Sequence, residues 1–283
     1  MNFDLITFGC SWVKGCGVGY ETGMKRHVYN NQINDEDICG KYSFRGILSE
    51  RWACNNINYG CMGSSNMRQF RHALEHFKCK PEKKTVVLWG ITSIFRHEVW
   101  CNTRIKRGES QGKGYCNVLY GHAYKLFKPL DWRKDAMWTR AKVNVNEHLE
   151  HHFDEENEIK VLCDQMDHWN LFFESMGIEN YWFDIFNHHN YPYVNSKMLF
   201  THKRKRDLLS NLVDDYRDDT YHASQFSSND SVRISDAQKL NLVNPHSLHP
   251  TKEAHVKIAD MIDEEINLIT VSYTHLRAHE TSN

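Results

Sequence analysis

No apolar run in this 283-residue chain approaches the ~20 residues that a bilayer-spanning helix needs, so no membrane span is expected. The start of the chain lacks the basic, apolar and small-residue regions of a secretory signal. Its nine cysteines are odd in number and none has C-x-x-C spacing. A reducing, cytoplasmic setting is therefore expected, without a closed zinc site or a thioredoxin-like motif. Neither sign of charge dominates: 35 Lys plus Arg stand against 36 Asp plus Glu. That balance gives no broad field for nucleic acid or an anionic membrane.

What is present is an alternation of short apolar strands and amphipathic helices. "FDLITF" (3–8) reads as a buried strand that stops at Gly9, and "TVVLWG" (85–90) as the clearest core strand of a parallel sheet. "NNINYG" gives a second short strand, and "ENYWFDIF" (179–186) another. Between them, "SFRGILSERWAC" (43–54) places Phe44, Ile47, Leu48 and Trp52 at helical spacing. "SSNMRQFRHALEHFKC" (64–79) does the same with Met67, Phe70, Leu74 and Phe77. A long amphipathic helix is expected over 155–177, ended by Gly177, and a last one over 251–269. The polar, glycine-bearing stretch from 13 to 43 reads as a long loop with at most one helical turn. Residues 100–145 read as an insertion or lid without periodicity.

Strand, helix, strand, helix in this order implies a single three-layer α/β/α domain with a flavodoxin-like parallel sheet. Residues 271–283, "VSYTHLRAHETSN", resemble a translation of the transposon adapter used in sequencing libraries. They are read as an appended tail outside a domain spanning 1–270.

Ligands in such sheets bind at the carboxyl ends of the strands, and several chemistry-bearing segments fall there. "FGCSW" follows the first strand, "NYGCMGSSN" the second and "WGITS" the strand at 85–90, while "HSLHPTKEAH" precedes the last helix. Each segment alone has an ordinary explanation: Ser11 as a helix cap, Gly63 as a turn, His249 as the opening of a helix.

Taken together and in order, the four segments resemble the SGNH, or GDSL-like, hydrolase superfamily. The compact chain with its short opening block also looks like members encoded by bacteriophages. The resemblance implies that Ser11 is a nucleophile whose backbone N–H also serves the oxyanion hole. It implies Gly63, preceded five residues earlier by Asn58, as a second oxyanion donor, Thr92 of "GIT" in place of the family's asparagine, and His249 as general base. Two departures stand out. Cys10 occupies the position of the family's Asp beside the nucleophile, and His246 occupies that of the Asp in D-x-x-H. A backbone carbonyl or a distant acid such as Asp236 would then orient His249, or the site would run as a Ser-His dyad, or activity would be lost.

Arg96 and Glu98 behind Thr92 read either as an ion pair bracing the oxyanion loop or as a solvated pair at a helix start. The implied activity is cleavage of an acyl or acetyl ester in a small-molecule or carbohydrate substrate, with no cofactor and no metal. Trp100, Tyr115, Tyr120 and Trp132 are candidates for a lid over the substrate. The alternative is a catalytically impaired module of the same fold that binds a glycan or a protein.

Other signals carry less. "KGCGVG" (14–19) lacks the ending of a phosphate-binding loop. His148 and His152 lack H-E-x-x-H order, acidic residues follow "HKRKR" (202–206), and His188 and His189 read as loop residues.

Overall fold

A computed structural model of the chain describes residues 3–21, 24–25, 35–94, 96–101, 114–119, 154–185, 197–200, 207–214, 237–246 and 248–280. For 97–101, 114–119, 155, 214 and 268–280 it describes the backbone alone. Four strands, β1 (Asp4–Phe8), β2 (Asn55–Asn58), β3 (Thr85–Ile91) and β6 (Glu179–Asp184), form an all-parallel sheet in the order β2-β1-β3-β6. A separate antiparallel pair joins β4 (Arg96–Cys101) to β5 (Gly114–Leu119).

Alternation along the central strands sends side chains to two faces and so builds two cores. Leu5, Val86, Leu88, Tyr181 and Phe183 face one core, with residues of α3 (Phe44–Arg51), α6 (Leu208–Asp214) and α7 (Lys252–Glu280). Ile6, Phe8, Val87, Trp89 and Trp182 face the other, against α4 (Asn66–His76) and α5 (Glu155–Met176). Helices on both faces of a parallel sheet make a three-layer α/β/α fold, and both faces of β3 are buried throughout. On the second face the rings of Tyr59, Phe8, Trp89 and Trp182 stack from strand to strand. Their centroids are 5.1, 4.4 and 4.7 Å apart in turn. Offset stacking of this kind adds about 0.5–1.5 kcal/mol per pair beyond the area buried.

Helix ends follow local chemistry. Asp154 caps α5 by accepting from the N–H groups of Glu156 and Asn157, and Gly177 closes it in the left-handed conformation at φ 70°. Asp35 caps α2 (Glu36–Tyr42) in the same way, through Asp37 N and Ile38 N. This two-turn helix lies where the sequence predicts loop, because the capping carboxylate compensates for a short and polar segment.

In α4 the buried face runs through Asn66, Gln69, Phe70 and Ala73, continuing to Phe77. Met67 and Leu74, expected on that face, are 48% and 62% exposed. With Phe172 they line an open groove of about 530 Å³ between α4 and α5. The final helix extends through 271–280, the start of the segment read as an appended tail. No described helix is long and apolar enough to cross a membrane.

Candidate active site

Pairing registers fix which loops share the carboxyl edge of the sheet. Phe8 pairs with Trp89, so Ser11 and Thr92 each stand three residues beyond paired positions of adjacent strands. The loop after β2 joins them: Tyr59 N donates to Thr7 O at 2.8 Å and Cys61 N to Gly9 O at 3.1 Å, extending the β1-β2 pairing toward Gly63. Asn58 secures this turn. Its Oδ1 accepts from Thr7 Oγ1 at 3.1 Å and from Gly60 N at 2.9 Å, which makes it a structural residue of the loop.

Ser11 opens a four-residue helix, α1 (Ser11–Lys14), and is itself the first helical residue. Cys10 holds the cap position, where no side-chain cap forms. The helix closes at once through Gly15, at φ 92°, whose N–H bonds Ser11 O and Trp12 O. Arg45 fastens the end of α1 from beneath. Its buried guanidinium donates to Lys14 O at 3.3 and 3.4 Å, to Asn56 Oδ1 at 3.1 Å and to Glu36 Oε1 at 2.5 Å. Ser11 is 7% exposed. Cys16 is no rival nucleophile, because burial, assisted by the neighbouring Cys39, pushes its thiol up to about 12.

Thr92 is clasped by Asn66, the first residue of α4. Thr92 N donates to Asn66 Oδ1 at 3.0 Å, and Asn66 Nδ2 donates to Thr92 O at 2.9 Å. Gln69 supports the same loop by donating to Gly90 O at 3.3 Å. The Thr92 N–H is therefore committed, which leaves its hydroxyl as the group able to serve a ligand. Thr92 Oγ1 is buried without a hydrogen-bond partner. Gly63 adopts φ 68°, and a Cβ there would meet nothing within 4 Å, so its backbone faces open space.

A tight turn between residues 243 and 250 presents His249. Val243 and Pro250 form an antiparallel bridge, and Asn244 donates to His249 O through both N (2.9 Å) and Nδ2 (3.1 Å). Leu248 takes the left-handed conformation at φ 59° to complete the turn. Gly17, at φ 127°, lets the loop after α1 come against this turn: a Cβ there would lie 2.3 Å from Pro250 O and 2.8 Å from His249 Cβ. The segment carrying His249 is thus seated on the loop that leaves the Ser11 helix.

Burial, and then the positive charge of Arg96, lower the pKa of His249 from 6.5 to about 4, so its imidazole is neutral at pH 7. A neutral imidazole is able to accept a proton, although so depressed a pKa makes it a weak base. Deeper in α7, His255 is fully buried, and burial with Arg45 and His249 lowers its pKa to about 3. Its Nδ1 accepts from Phe44 N at 3.3 Å, which places the ring proton on Nε2.

His246 reaches the loop after α1. Its Nε2 bonds Met24 O at 2.8 Å and its ring meets Tyr20 edge-on, so it pins the loop after α1. Arg96 begins strand β4, not a helix, and its Nη1 is buried without a hydrogen-bond partner. Glu98 lies on the same strand, described as backbone alone, as are Trp100 and Tyr115. Asp236, Tyr120, Trp132, His148, His152, His188, His189 and residues 202–206 lie outside the described residues.

Sequence reasoning missed Asn66, Arg45 and Gly17. Their roles depend on contacts to segments 26, 31 and more than 230 residues away, and only the place of Asn66 directly after the capping Ser65 gave a local signal. No family model matches the chain, and no curated protein matches it.

Proposed function

We propose that the chain is a serine-dependent ester hydrolase of the SGNH type. The observation that carries this reading is the meeting of three segments at one edge of the sheet. Ser11 and Thr92 follow paired strands, and the His249 turn rests on the loop after Ser11.

In the reaction, Ser11 Oγ forms a bond to the ester carbonyl carbon while its proton passes to neutral His249. The oxyanion is met by the N–H groups of Ser11 and Gly63 and by the Thr92 hydroxyl. Collapse breaks the bond to the leaving alkoxide, which takes the proton from His249. Water, activated in the same way, then releases the acid and restores Ser11. Preorganised donors supply the largest share of such catalysis, which suits a site whose base is weak.

The test is hydrolysis of short p-nitrophenyl esters by the native protein and by Ser11→Ala. Turnover abolished by the substitution supports the reading; equal turnover in both proteins refutes it.

A second reading, a non-catalytic binding module, is favoured by one specific observation. Among the described residues, the charge that acts on His249 is the cation Arg96. Ester turnover that depends on both Ser11 and His249 excludes it.

A further inference from the structure

A guanidinium is always charged, and a buried donor left without a partner costs about 1–3 kcal/mol, more when the group is ionised. Arg96 carries this cost at the candidate site. Its Nη1 is buried and unpaired, and no carboxylate joins it among the described residues, although Arg45 elsewhere in the fold has Glu36. Four residues earlier on the same segment, Thr92 is 2% exposed and its Oγ1 also lacks a partner.

Two orphaned donors, one of them cationic, therefore occupy the segment leaving β3 at the sheet edge, close enough to His249 for the charge to act on it. Arg96 as a residue is only partly buried. The start of the strand does not call for a cation: it begins through Arg96 N donating to Ser93 O, a backbone bond that any residue but proline would make.

We propose that the site takes esters bearing an anionic group, a carboxylate or a phosphate, which Arg96 binds while the ester carbonyl lies at Ser11 and Thr92. This deepens the hydrolase reading and rests on it. Arg96 is the residue that tells an anionic ester from a neutral one. Its planar fork matches the two oxygens of a carboxylate or phosphate, and charge-assisted bonds of this kind are about twice as strong as neutral ones. The anion also offsets the positive charge that disfavours a proton on His249, so bound substrate strengthens the base that must accept the Ser11 proton.

The experiment compares two chromogenic substrates of nearly equal size, the 4-nitrophenyl monoester of adipic acid and its methyl-capped diester. The native protein, Arg96→Gln and Arg96→Lys are used once circular dichroism shows each folded. Binding of monomethyl adipate is measured in parallel by calorimetry. The native protein is expected to favour the free acid in kcat/KM by about tenfold or more. Arg96→Gln brings the ratio close to one, and Arg96→Lys, which keeps the charge without the fork, retains part of it.

If the native protein cleaves both esters equally, the anion inference is overturned while the hydrolase reading stands. If it cleaves neither yet binds monomethyl adipate, and Arg96→Gln loses that binding, the anion site is upheld and the hydrolase reading falls. If it neither cleaves nor binds, both are refuted.

Discussion

Replacing Gly17 by alanine places a methyl group where the structure has no room for one. The new Cβ would lie 2.3 Å from Pro250 O, 2.8 Å from His249 Cβ and 3.1 Å from His249 C. Two of these atoms are backbone, so no rotamer change relieves the contact. The φ of 127° adds conformational strain of about 1–3 kcal/mol for a residue with a Cβ. Forcing the His249–Pro250 segment away adds about 1–3 kcal/mol more by the usual scale of overpacking. The sum, roughly 2–6 kcal/mol, is a large part of the 5–15 kcal/mol that typically holds a domain together. Protein that stays folded does so with the His249 turn displaced, and a shift of about 1 Å at a reacting centre can cost ~10²-fold in rate.

Urea denaturation followed by circular dichroism measures the first effect, and ester hydrolysis at a temperature where the variant is folded measures the second. Gly40→Ala is the control. It lies within α2 with nothing inside 4 Å of its Cβ position, so the substitution should stabilise by about 0.5–1 kcal/mol. A Gly17→Ala protein as stable and as active as the parent would refute the seating of the His249 turn on this loop.

Two further outcomes follow from the buried polar groups. Thr92→Val removes a hydroxyl that has no partner, so stability measured by urea midpoint should hold or rise, while ester hydrolysis should fall about 10²-fold or more if that hydroxyl meets the oxyanion. A fall in stability with unchanged turnover contradicts the assignment. For pH, His249 and His255 have folded pKa values of about 4 and about 3, below their ordinary 6.5. The unfolded chain therefore binds protons first as pH falls. Stability is complete above about pH 6.5 and drops toward pH 4 by up to about 2.7 kcal/mol per pH unit from the two together. Urea midpoints from pH 7.5 to 4.5 check this, and His255→Gln, which keeps an acceptor for Phe44 N, should roughly halve the slope. A flat profile contradicts the burial of the neutral rings.

Much of the fold is legible in local pattern. The apolar run at 85–90 is a central strand because both its faces meet helices, and Gly177 ends its helix because a left-handed residue closes the last turn. The face of α4 was harder to read. Met67 and Leu74 fit the helical period, yet the sheet receives Ala73, and the polar Asn66 and Gln69 turn inward because Thr92 and Gly90 offer them backbone partners. Periodicity weighs side chains by polarity and has no knowledge of a partner 21 or 26 residues away. The same limit hid Arg45, whose burial depends on three segments, and the helix at 36–42, which rests on a single capping aspartate. At the candidate site, order along the chain indicated which loops would share an edge. It did not indicate that His246 would turn to Met24 O, or that Arg96 would begin a strand with its Nη1 buried and unpaired.

The central claim is that Ser11 is a nucleophile served by His249. Reaction of the native protein with a fluorophosphonate, followed by intact mass and peptide mapping, tests it most directly. The account predicts one adduct, carried by the peptide containing Ser11, absent from Ser11→Ala and formed far more slowly by His249→Ala. An unlabelled native protein, or labelling that survives in Ser11→Ala, would contradict it.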